Sequence, residues 1–591
     1  MSPAPEQTAD REKDPQPREF QGMGASPGIA VGPAFRFVKT ELELERTTVA
    51  DPTAEWERFE AALKTAQEQL QEVFRKAEAE SGSEQAAIFE AHAMMLEDPE
   101  LLGEIRASIE EEGLNAEMAT HQAAESYAQI LEAMDDEYLS ARAADVRDVA
   151  ERVIRILLDV PQSPAAELTD PSVILARDLT PSDTVLLDKS LVLGFCTAEG
   201  GRTSHTAILA RGLGLPAIVG VGSDILAIPE GERLVLDGTA GRLLVGAEDE
   251  TVVKYEKRQE RLDKVLKDAR EQAGRPAVTR DGQRVEVVAN IGNVAGAEAA
   301  IEAGGEGVGL LRTEFLYLER EHLPSEEEQF EAYRSIVQVF GERPVILRTL
   351  DIGGDKELPY LDLPDEMNPF LGVRAIRLCL RRPELFKPQL RAALRAGAEG
   401  NLKVMFPMVS GMAEVRAARE LLEACRKELE EEGHAMAEEM EIGIMVEVPS
   451  AVVMADRLAR EVDFFSIGTN DLSQYTMAAD RTNADVASFV TGFQPAVLRL
   501  VRDTIEAAHR HGKWVGLCGE LAGEPLAIPI LLGLGLDEFS MNPPAIPIAK
   551  QIIRQLSTRE ARAVARDALE LDSPEAVMAL VRERVPAADV T

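Results

Sequence analysis

This 591-residue sequence has few cysteines and tryptophans, only 5% aromatic residues, and no long apolar run. The most apolar stretch, Leu526 to Leu536, is too short to span a bilayer and contains Pro529. The four cysteines lie far apart with no CxxC pair, which argues against a disulfide framework and a structural zinc site. They are Cys196, Cys379, Cys425 and Cys518. We therefore expect a cytoplasmic protein with no membrane partner.

The sequence is also poor in positive charge. It has 63 lysines and arginines against 104 aspartates and glutamates, which gives a net charge of −41. Such a surface repels nucleic acid and anionic membranes, so neither is an expected partner. The acidity fits a highly soluble surface and an adaptation to high salt equally well.

The length suggests three or four domains. Residues 1–20 are rich in proline and charge and predict a disordered tail. Strand-like patterns at 21–48 and 160–247 predict one α/β domain, interrupted by an inserted helical domain of four helices at 49–159. The charged helical pattern at 248–276 predicts a linker helix, with a solvated surface helix as the alternative.

Residues 277–591 alternate eight strand-like runs with helical patterns. This order predicts a C-terminal (β/α)8 barrel in a multidomain α/β protein. An open, doubly wound sheet is the alternative, because periodicity alone does not prove closure.

Residues Gly200 to Arg211 form a glycine-rich turn that places His205 at the start of a predicted helix. Glycines let the backbone approach an anion, and the free N–H groups of a helix N-terminus favour negative charge. The same positive end disfavours imidazolium, so we expect a neutral, nucleophilic His205 near pH 7. A histidine in this setting suits phosphoryl transfer, although a structural cap is the alternative for a histidine taken alone.

Polar residues cluster at the predicted strand ends of the barrel, where such barrels carry their chemistry. Arginines at these ends suit phosphate and carboxylate oxygens, and two carboxylates suit Mg²⁺. The candidates are Arg312, Arg348, Glu447, Asn470, Asp471, Arg481 and Cys518. Together they predict a site for a small, multiply charged anion.

The segment Gly200 to Arg211 resembles the phosphohistidine signature of the phosphoenolpyruvate (PEP)-utilising enzymes. Four further segments are similar to the substrate barrel of these enzymes, as found in the members that begin bacterial sugar phosphotransfer. They are Leu-Leu-Arg-Thr-Glu-Phe, Gly-Ile-Met-Val-Glu-Val-Pro-Ser, Ser-Ile-Gly-Thr-Asn-Asp-Leu-Ser-Gln-Tyr and Gly-Leu-Cys-Gly-Glu. The resemblance implies that His205 accepts the phosphoryl group and that Cys518 protonates the enolate carbon. It also implies PEP contacts from Arg312, Arg348, Asn470 and Arg481, and Mg²⁺ held by Glu447 and Asp471.

The same resemblance implies a swivelling histidine domain that passes the phosphoryl group to a histidine-containing phosphocarrier protein, releasing pyruvate in the first step of sugar uptake. The inserted helical domain would dock the carrier, and the barrel would form a homodimer. Other family members, pyruvate phosphate dikinase and PEP synthase, need an ATP-binding domain before the histidine, and no Gly-rich Lys loop precedes His205. A non-catalytic PEP sensor is a further alternative, but every expected polar group at the barrel mouth is present.

Overall fold

The computed structural model describes residues 17–38, 42, 44–81, 89, 92–132, 137–201, 204–318, 320, 322–353, 358, 360–361, 366–483 and 485–590. The chain divides into two compact units, Met1–Leu262 with Thr591 and Asp263–Val590.

The first unit contains an eight-stranded sheet of order β1-β8-β7-β3-β4-β5-β6-β2. Its strands β3 to β6 are parallel neighbours, and the remaining pairs are antiparallel. The bounds are β1 Arg18–Gln21, β2 Met23–Ser26, β3 Ile29–Phe37, β4 Ser172–Ala176, β5 Val192–Thr197, β6 Ala217–Val219, β7 Arg233–Asp237 and β8 Arg242–Val245. The helices of this α/β part are Pro181–Leu186 and His205–Leu213.

The predicted disordered tail is wrong at its C-terminal end, because strand β1 begins at Arg18. It pairs antiparallel with β8, and Glu19 forms an ion pair of 2.6 Å with Arg242. Phe20 packs against the apolar cluster of the sheet. The sequence of this charged, mostly exposed edge strand resembles that of a disordered tail, since only one of its side chains is apolar. Residues 1–16 lie outside the described part of the chain.

A helical insertion follows β3, as the composition predicted. Its helices are Pro52–Ser81, Pro99–Glu110, Ala116–Glu132 and Glu137–Leu157. Phe59, Leu70 and Ile109 are buried in a core of its own. Asp98 caps the second of these helices by accepting hydrogen bonds from two backbone N–H groups, at 2.8 and 3.1 Å.

The predicted linker helix spans Asp249–Glu271. In its first half, Arg258 forms an ion pair of 2.9 Å with Asp237 of the first unit. Near its end, Ala269 belongs to the core of the second unit. Shortly after the helix, the carbonyl oxygen of Ala273 accepts a hydrogen bond of 3.1 Å from the buried ammonium of Lys550. The second unit therefore begins at Asp263, earlier than the predicted barrel start at 277.

The second unit is built on a closed barrel of eight parallel strands, which confirms the predicted barrel and excludes an open sheet. Its strands are β9 Glu286–Ile291, β10 Val308–Leu311, β11 Val345–Arg348, β12 Leu402–Phe406, β13 Ile442–Val446, β14 Phe464–Ile467, β15 Trp514–Leu517 and β16 Glu538–Met541. The helices are Val294–Glu302, Glu326–Phe340, Ile376–Arg381, Pro383–Ala396, Met412–Glu432, Pro449–Val453, Ala455–Leu458, Thr469–Met477, Pro495–Arg510, Ile528–Leu534, Ile546–Gln555, Thr558–Ala568 and Pro574–Arg584.

The barrel strands alternate their side chains between the interior and the surrounding helices. On β13, Met445 joins the interior cluster, whereas Ile444 and Val446 pack in the outer core. The interior cluster consists of Leu310, Ile346, Met405, Met445, Phe464 and Cys518, with Trp514 packed against it. This filled interior leaves the carboxyl ends of the strands as the place for a site.

All four cysteines are free and buried, in agreement with the prediction that they form no disulfide framework. In the part of the chain that the structure describes, no helix combines the length and apolar character needed to cross a membrane.

Candidate functional site

His205 is the first residue of the helix His205–Leu213, as its sequence motif predicted. The side chain of Ser204 caps this helix by accepting a hydrogen bond from the N–H of Ala207 at 3.4 Å. Buried Thr206 donates a hydrogen bond of 3.2 Å to Asp178. These contacts fix the helix start beside β5, while the His205 side chain, Arg202 and Thr203 lie outside the described part of the structure.

The turn before the helix depends on Gly200, which has a φ of +96°. A Cβ at this position would lie 3.1 Å from the hydroxyl of Ser204. Glycine therefore permits both the left-handed backbone and the close approach of the capping side chain.

The structure brings the predicted barrel residues together at one end of the barrel. Arg348 ends β11, and the others follow the carboxyl ends of their strands or lie on the helix Thr469–Met477 and the loop after it. These others are Arg312 after β10, Glu447 after β13, Asn470 and Asp471 in the first turn of that helix, Arg481 beyond it, and Cys518 after β15.

Arg348 is held by two buried carboxylates. One terminal nitrogen donates to Oε1 of Glu314 at 2.8 Å, and the other lies 3.0 Å from Oδ2 of Asp351. Burial alone would lower the pKa of Arg348, but Glu314 and Asp351 together raise it. Its guanidinium is therefore charged and fixed in orientation, with Nε left without a hydrogen-bond partner in the described structure.

Arg374 connects Asp351, which pairs with Arg348, to Asp471. Its guanidinium donates to both oxygens of Asp351, at 2.8 and 3.0 Å, and to Oδ1 of Asp471 at 2.9 Å. The second oxygen of Asp471 accepts from Arg481 at 3.3 Å. Asp471 is thus placed by two arginines, and Arg481 keeps donors available because its side chain is partly exposed.

Arg312 differs from the other arginines of the site. Its side chain is exposed, and it makes no hydrogen bond or ion pair with any residue that the structure describes. The surrounding protein and the nearby charge of Arg348 lower its pKa. These two neighbouring guanidinium groups, one of them without an ion-pair partner among the described residues, would be stabilised by a bound anion.

Glu447 is a buried carboxyl that accepts one hydrogen bond from the described residues. Its Oε1 accepts a hydrogen bond of 2.5 Å from the N–H of Met408, whereas no described residue donates to Oε2. Burial, and then the charges of Asp471 and Asp351, raise the pKa of Glu447 to about 8. A Cβ at Gly468 would lie 3.0 Å from Oε2, so glycine keeps this side of the carboxyl open.

The described residues contain no group of three or more His, Cys, Asp or Glu side chains placed to hold a metal ion. Glu447 and Asp471 nevertheless fit a cation that takes few protein ligands and keeps water or substrate oxygens, as Mg²⁺ does. The positive charge of a divalent ion here would oppose the effect of burial on the pKa of Glu447.

Cys518 is buried in the barrel interior, 5% exposed, with its thiol 3.8 Å from the carbonyl oxygen of Ile467. Burial raises its pKa to about 11, against the effect of Ser466 and Arg348. The thiol therefore holds its proton at neutral pH, as a proton donor must. The side chain of Asn290 donates to the backbone carbonyl of Cys518 at 3.0 Å and holds this strand end in place.

Asn470 lies beside the same strand end. Its Oδ1 accepts a hydrogen bond of 3.1 Å from the N–H of Glu520. This contact orients the amide so that its NH₂ group remains available as a donor.

The sequence prediction missed Glu314, Asp351 and Arg374. Glu314 lies within the quoted segment Leu-Leu-Arg-Thr-Glu-Phe and Asp351 lies three residues after Arg348, but their pairing with arginines depends on tertiary contacts. Arg374 follows no strand, since it lies between the short turn Pro369–Leu371 and the helix Ile376–Arg381. Its near-complete burial is the signal that reveals it, and burial is not visible in a single sequence.

Three family matches cover most of the chain. Residues 267–558 match the family described as PEP-utilising enzyme, PEP-binding domain. Residues 21–142 match its N-terminal domain, and residues 168–241 match its mobile domain. The PEP-binding match contains the whole cluster of polar residues at the barrel mouth.

Curated relatives agree with these matches. The phosphoenolpyruvate-protein phosphotransferase of Staphylococcus carnosus is 47% identical over 567 residues, 96% of this chain and 99% of the relative. That of Geobacillus stearothermophilus is 48% identical over 565 residues, 96% of this chain and 98% of the relative. The chain therefore belongs to the PEP-utilising enzymes, in the family of the phosphoenolpyruvate-protein phosphotransferases.

Among solved structures, an NMR solution structure titled Enzyme I is 40% identical and covers 41% of this chain and 99% of its own, with a TM-score of 0.38.

Proposed function

We propose that this chain transfers the phosphoryl group of PEP to His205, releases pyruvate, and passes the group to a histidine-containing phosphocarrier protein. The observation that carries the proposal is Arg312, whose side chain has no partner among the described residues, beside the anchored Arg348 at the barrel mouth of a chain 47% identical to a named phosphotransferase. A phosphate and a carboxylate on one small molecule match such a pair of guanidinium groups.

In this proposal Arg312, Arg348, Arg481 and Asn470 bind PEP and orient its phosphorus for attack. The ring nitrogen of His205 forms a bond to phosphorus as the bond from phosphorus to the enol oxygen breaks. The arginines hold the phosphoryl oxygens while their charge redistributes, which lowers the barrier more than it tightens substrate binding.

Glu447 and Asp471 would hold Mg²⁺. When bound, this ion supplies positive charge to the phosphoryl and carboxylate oxygens of the substrate. The burial of Glu447 near the carboxylate of Asp471 supports this assignment, because neighbouring carboxylates in a buried site are stabilised by a cation.

Cys518 would complete the reaction. Its thiol gives a proton to the methylene carbon of enolpyruvate as the carbon-carbon double bond becomes the carbonyl of pyruvate. The protonated state of the buried thiol supports this role. Formation of the keto product makes the transfer to His205 favourable.

The second half of the reaction needs a mobile histidine. The family matched by residues 168–241 is described as a mobile domain, which supports a swivelling unit that accepts the phosphoryl group in one place and delivers it in another. We propose that the helical insertion at 49–159 docks the phosphocarrier, that residues 248–276 serve as the linker, and that the barrel forms a homodimer. Sedimentation equilibrium of the full chain tests the dimer.

The proposal is tested by incubating the protein with Mg²⁺ and ³²P-labelled PEP, without nucleotide. We expect acid-labile label on the protein and one pyruvate per label, and both should disappear in His205→Ala. His121→Ala is the matched control, because His121 is an exposed histidine of the same unit. A requirement for ATP would instead indicate a dikinase, and binding of PEP without pyruvate would indicate a sensor.

A further inference from the structure

Two buried side-chain oxygens on the barrel strands have no hydrogen-bond partner among the described residues. They are Oε1 of Glu538, on β16, and Oγ of Ser466, on β14. Glu538 is 2% exposed and Ser466 is fully buried. Leaving such a group unsatisfied costs about 1–3 kcal/mol, so two of them in one barrel interior call for an explanation.

The strand register places these two residues on either side of Gly516. Ser466 pairs with Gly516 across β14 and β15, and Gly516 pairs with Glu538 across β15 and β16. A Cβ at Gly516 would lie only 2.7 Å from Oε1 of Glu538. Because neighbouring strands are about 4.8 Å apart, the carboxyl occupies the space left by the missing side chain and points along the row toward Ser466.

Cys518 lies two residues after Gly516, on the same face and nearer the barrel mouth. Its thiol belongs to the interior cluster. The hydroxyl of Ser466 makes no well-directed hydrogen bond, yet it is close enough to the thiol to lower its pKa against the effect of burial. Glu538 and Ser466 therefore lie in one row of the barrel interior, and Cys518 lies between their strands, nearer the mouth.

Glu538 keeps its proton at neutral pH. Burial raises its pKa to about 8, with further contributions from nearby carboxylates and an opposing one from Lys403. The charged groups around it are Glu286 on β9, Lys403 on β12, Glu441 before β13 and the adjacent Asp537. Lys403 is paired with Glu441 at 2.8 Å, so it does not neutralise Glu538 directly.

We propose that Glu538 and Ser466 form an internal proton relay that resupplies Cys518 after each turnover. The inference rests on the proposed function, in which the Cys518 thiol loses its proton to the carbon of enolpyruvate. The resulting thiolate takes the hydroxyl proton of Ser466, and the oxygen of Ser466 takes the carboxyl proton of Glu538, through a buried water that satisfies both unpaired oxygens. The carboxylate of Glu538 then regains a proton from solvent.

The relay can be separated from the carbon chemistry by isotope exchange in D₂O. The full chain is incubated with Mg²⁺, PEP and ¹⁴C-pyruvate, and two rates are followed. Movement of ¹⁴C from pyruvate into PEP needs Cys518 to give a proton to carbon and take one back, but it needs no proton from solvent. Entry of deuterium into the pyruvate methyl group needs the thiol to exchange with solvent between these steps.

We expect Glu538→Gln to keep ¹⁴C exchange within about twofold of the wild type, while deuterium entry per ¹⁴C exchange falls about tenfold or more. Ser466→Ala should give the same pattern. Glu302→Gln is the matched control, because it removes an exposed carboxylate of the same unit, at the end of the helix Val294–Glu302 and outside the barrel interior, and it should change neither rate.

An unchanged ratio of deuterium entry to ¹⁴C exchange in both relay variants would overturn the proposal. An equal fall in the rates of ¹⁴C exchange and deuterium entry would also overturn the proposal, because a structural defect slows the carbon chemistry itself. Absence of ¹⁴C exchange in the wild type would reject the proposed function, and the relay with it.

Discussion

Arg312 and Arg348 carry the same charge in opposite settings, which predicts different effects of removing them. Arg312 has no partner in the described structure, so Arg312→Ala should leave the free energy of unfolding unchanged. Loss of one charged contact to substrate, worth about 1.5–3 kcal/mol, should raise the KM for PEP roughly ten- to a hundredfold.

Arg348→Ala should also weaken PEP binding, but it leaves Glu314 and Asp351 buried without their shared cation. We expect a loss of about 3 kcal/mol in the free energy of unfolding. Urea unfolding of both variants beside steady-state kinetics measures the contrast. Equal stability of the two variants would contradict the anchoring role of the carboxylates.

Glu538 also predicts how stability depends on pH. Its carboxyl ionises near pH 4.5 in the unfolded chain but keeps its proton to about pH 8 in the folded one. Because the folded state binds the proton more tightly, this group favours folding at low pH, and that contribution is lost as the pH rises toward 8.

Glu538→Gln carries no proton to lose, so its stability relative to the wild type should increase between about pH 4.5 and 8 and level off above. Denaturant unfolding at several pH values measures this difference. A difference that is constant over the range would contradict the buried, protonated state of Glu538.

At the scale of elements, the strand ends explain which site residues could be predicted. Arg312, Glu447 and Cys518 follow apolar runs, and a barrel brings the ends of such runs together. Arg374 escaped prediction because it follows a 3₁₀ turn and precedes Ala375, which has a φ of +53°. Irregular backbone has no periodicity, so only the fold shows that this arginine reaches Asp351 and Asp471.

Gly519, just after β15, packs against the start of the helix that carries Asn470 and Asp471. A Cβ at Gly519 would lie 2.0 Å from the hydroxyl oxygen of Thr469 and 2.6 Å from its backbone nitrogen. Gly519→Ala should therefore displace this helix start and weaken PEP binding by about tenfold or more. Gly292→Ala, after β9, is the matched control, because its Cβ would meet no atom within 4 Å. Titration with PEP and Mg²⁺ compares the variants, and equal affinities would contradict the prediction.

At the scale of the whole molecule, the net charge of −41 predicts a strong salt response. Like charges on a compact surface repel, and salt at about 1 M shortens the screening length to about 3 Å. We expect Tm to rise between about 0.05 and 1 M KCl, with choline chloride giving a similar rise if screening is the cause. A Tm that falls with KCl would contradict self-repulsion, and inactivation at molar KCl would contradict adaptation to a saline cell.

The architecture was more predictable than its boundaries. Eight βα repeats indicated the barrel, because each buried parallel strand is a short apolar run between turn residues. The boundary between the linker helix and the barrel was harder to predict, since a charged helix has the same sequence pattern whether solvent or a neighbouring core lies beside it. Lys550 illustrates this limit, because a lysine on a helix gives no sign in the sequence that its ammonium is buried.

The Lys550 contact defines where the barrel can be cut from the rest of the chain. Its ammonium donates to the carbonyl oxygens of Ala273 and Gly304, at 3.1 and 2.5 Å. A barrel fragment that starts at 277 would lack the first of these acceptors and leave the ammonium partly unsatisfied, at a cost of about 1–3 kcal/mol. A fragment that starts at Asp263 keeps it and should unfold at a higher urea concentration. Dissection of this chain into independently folding pieces therefore has to leave the end of the connecting helix with the barrel.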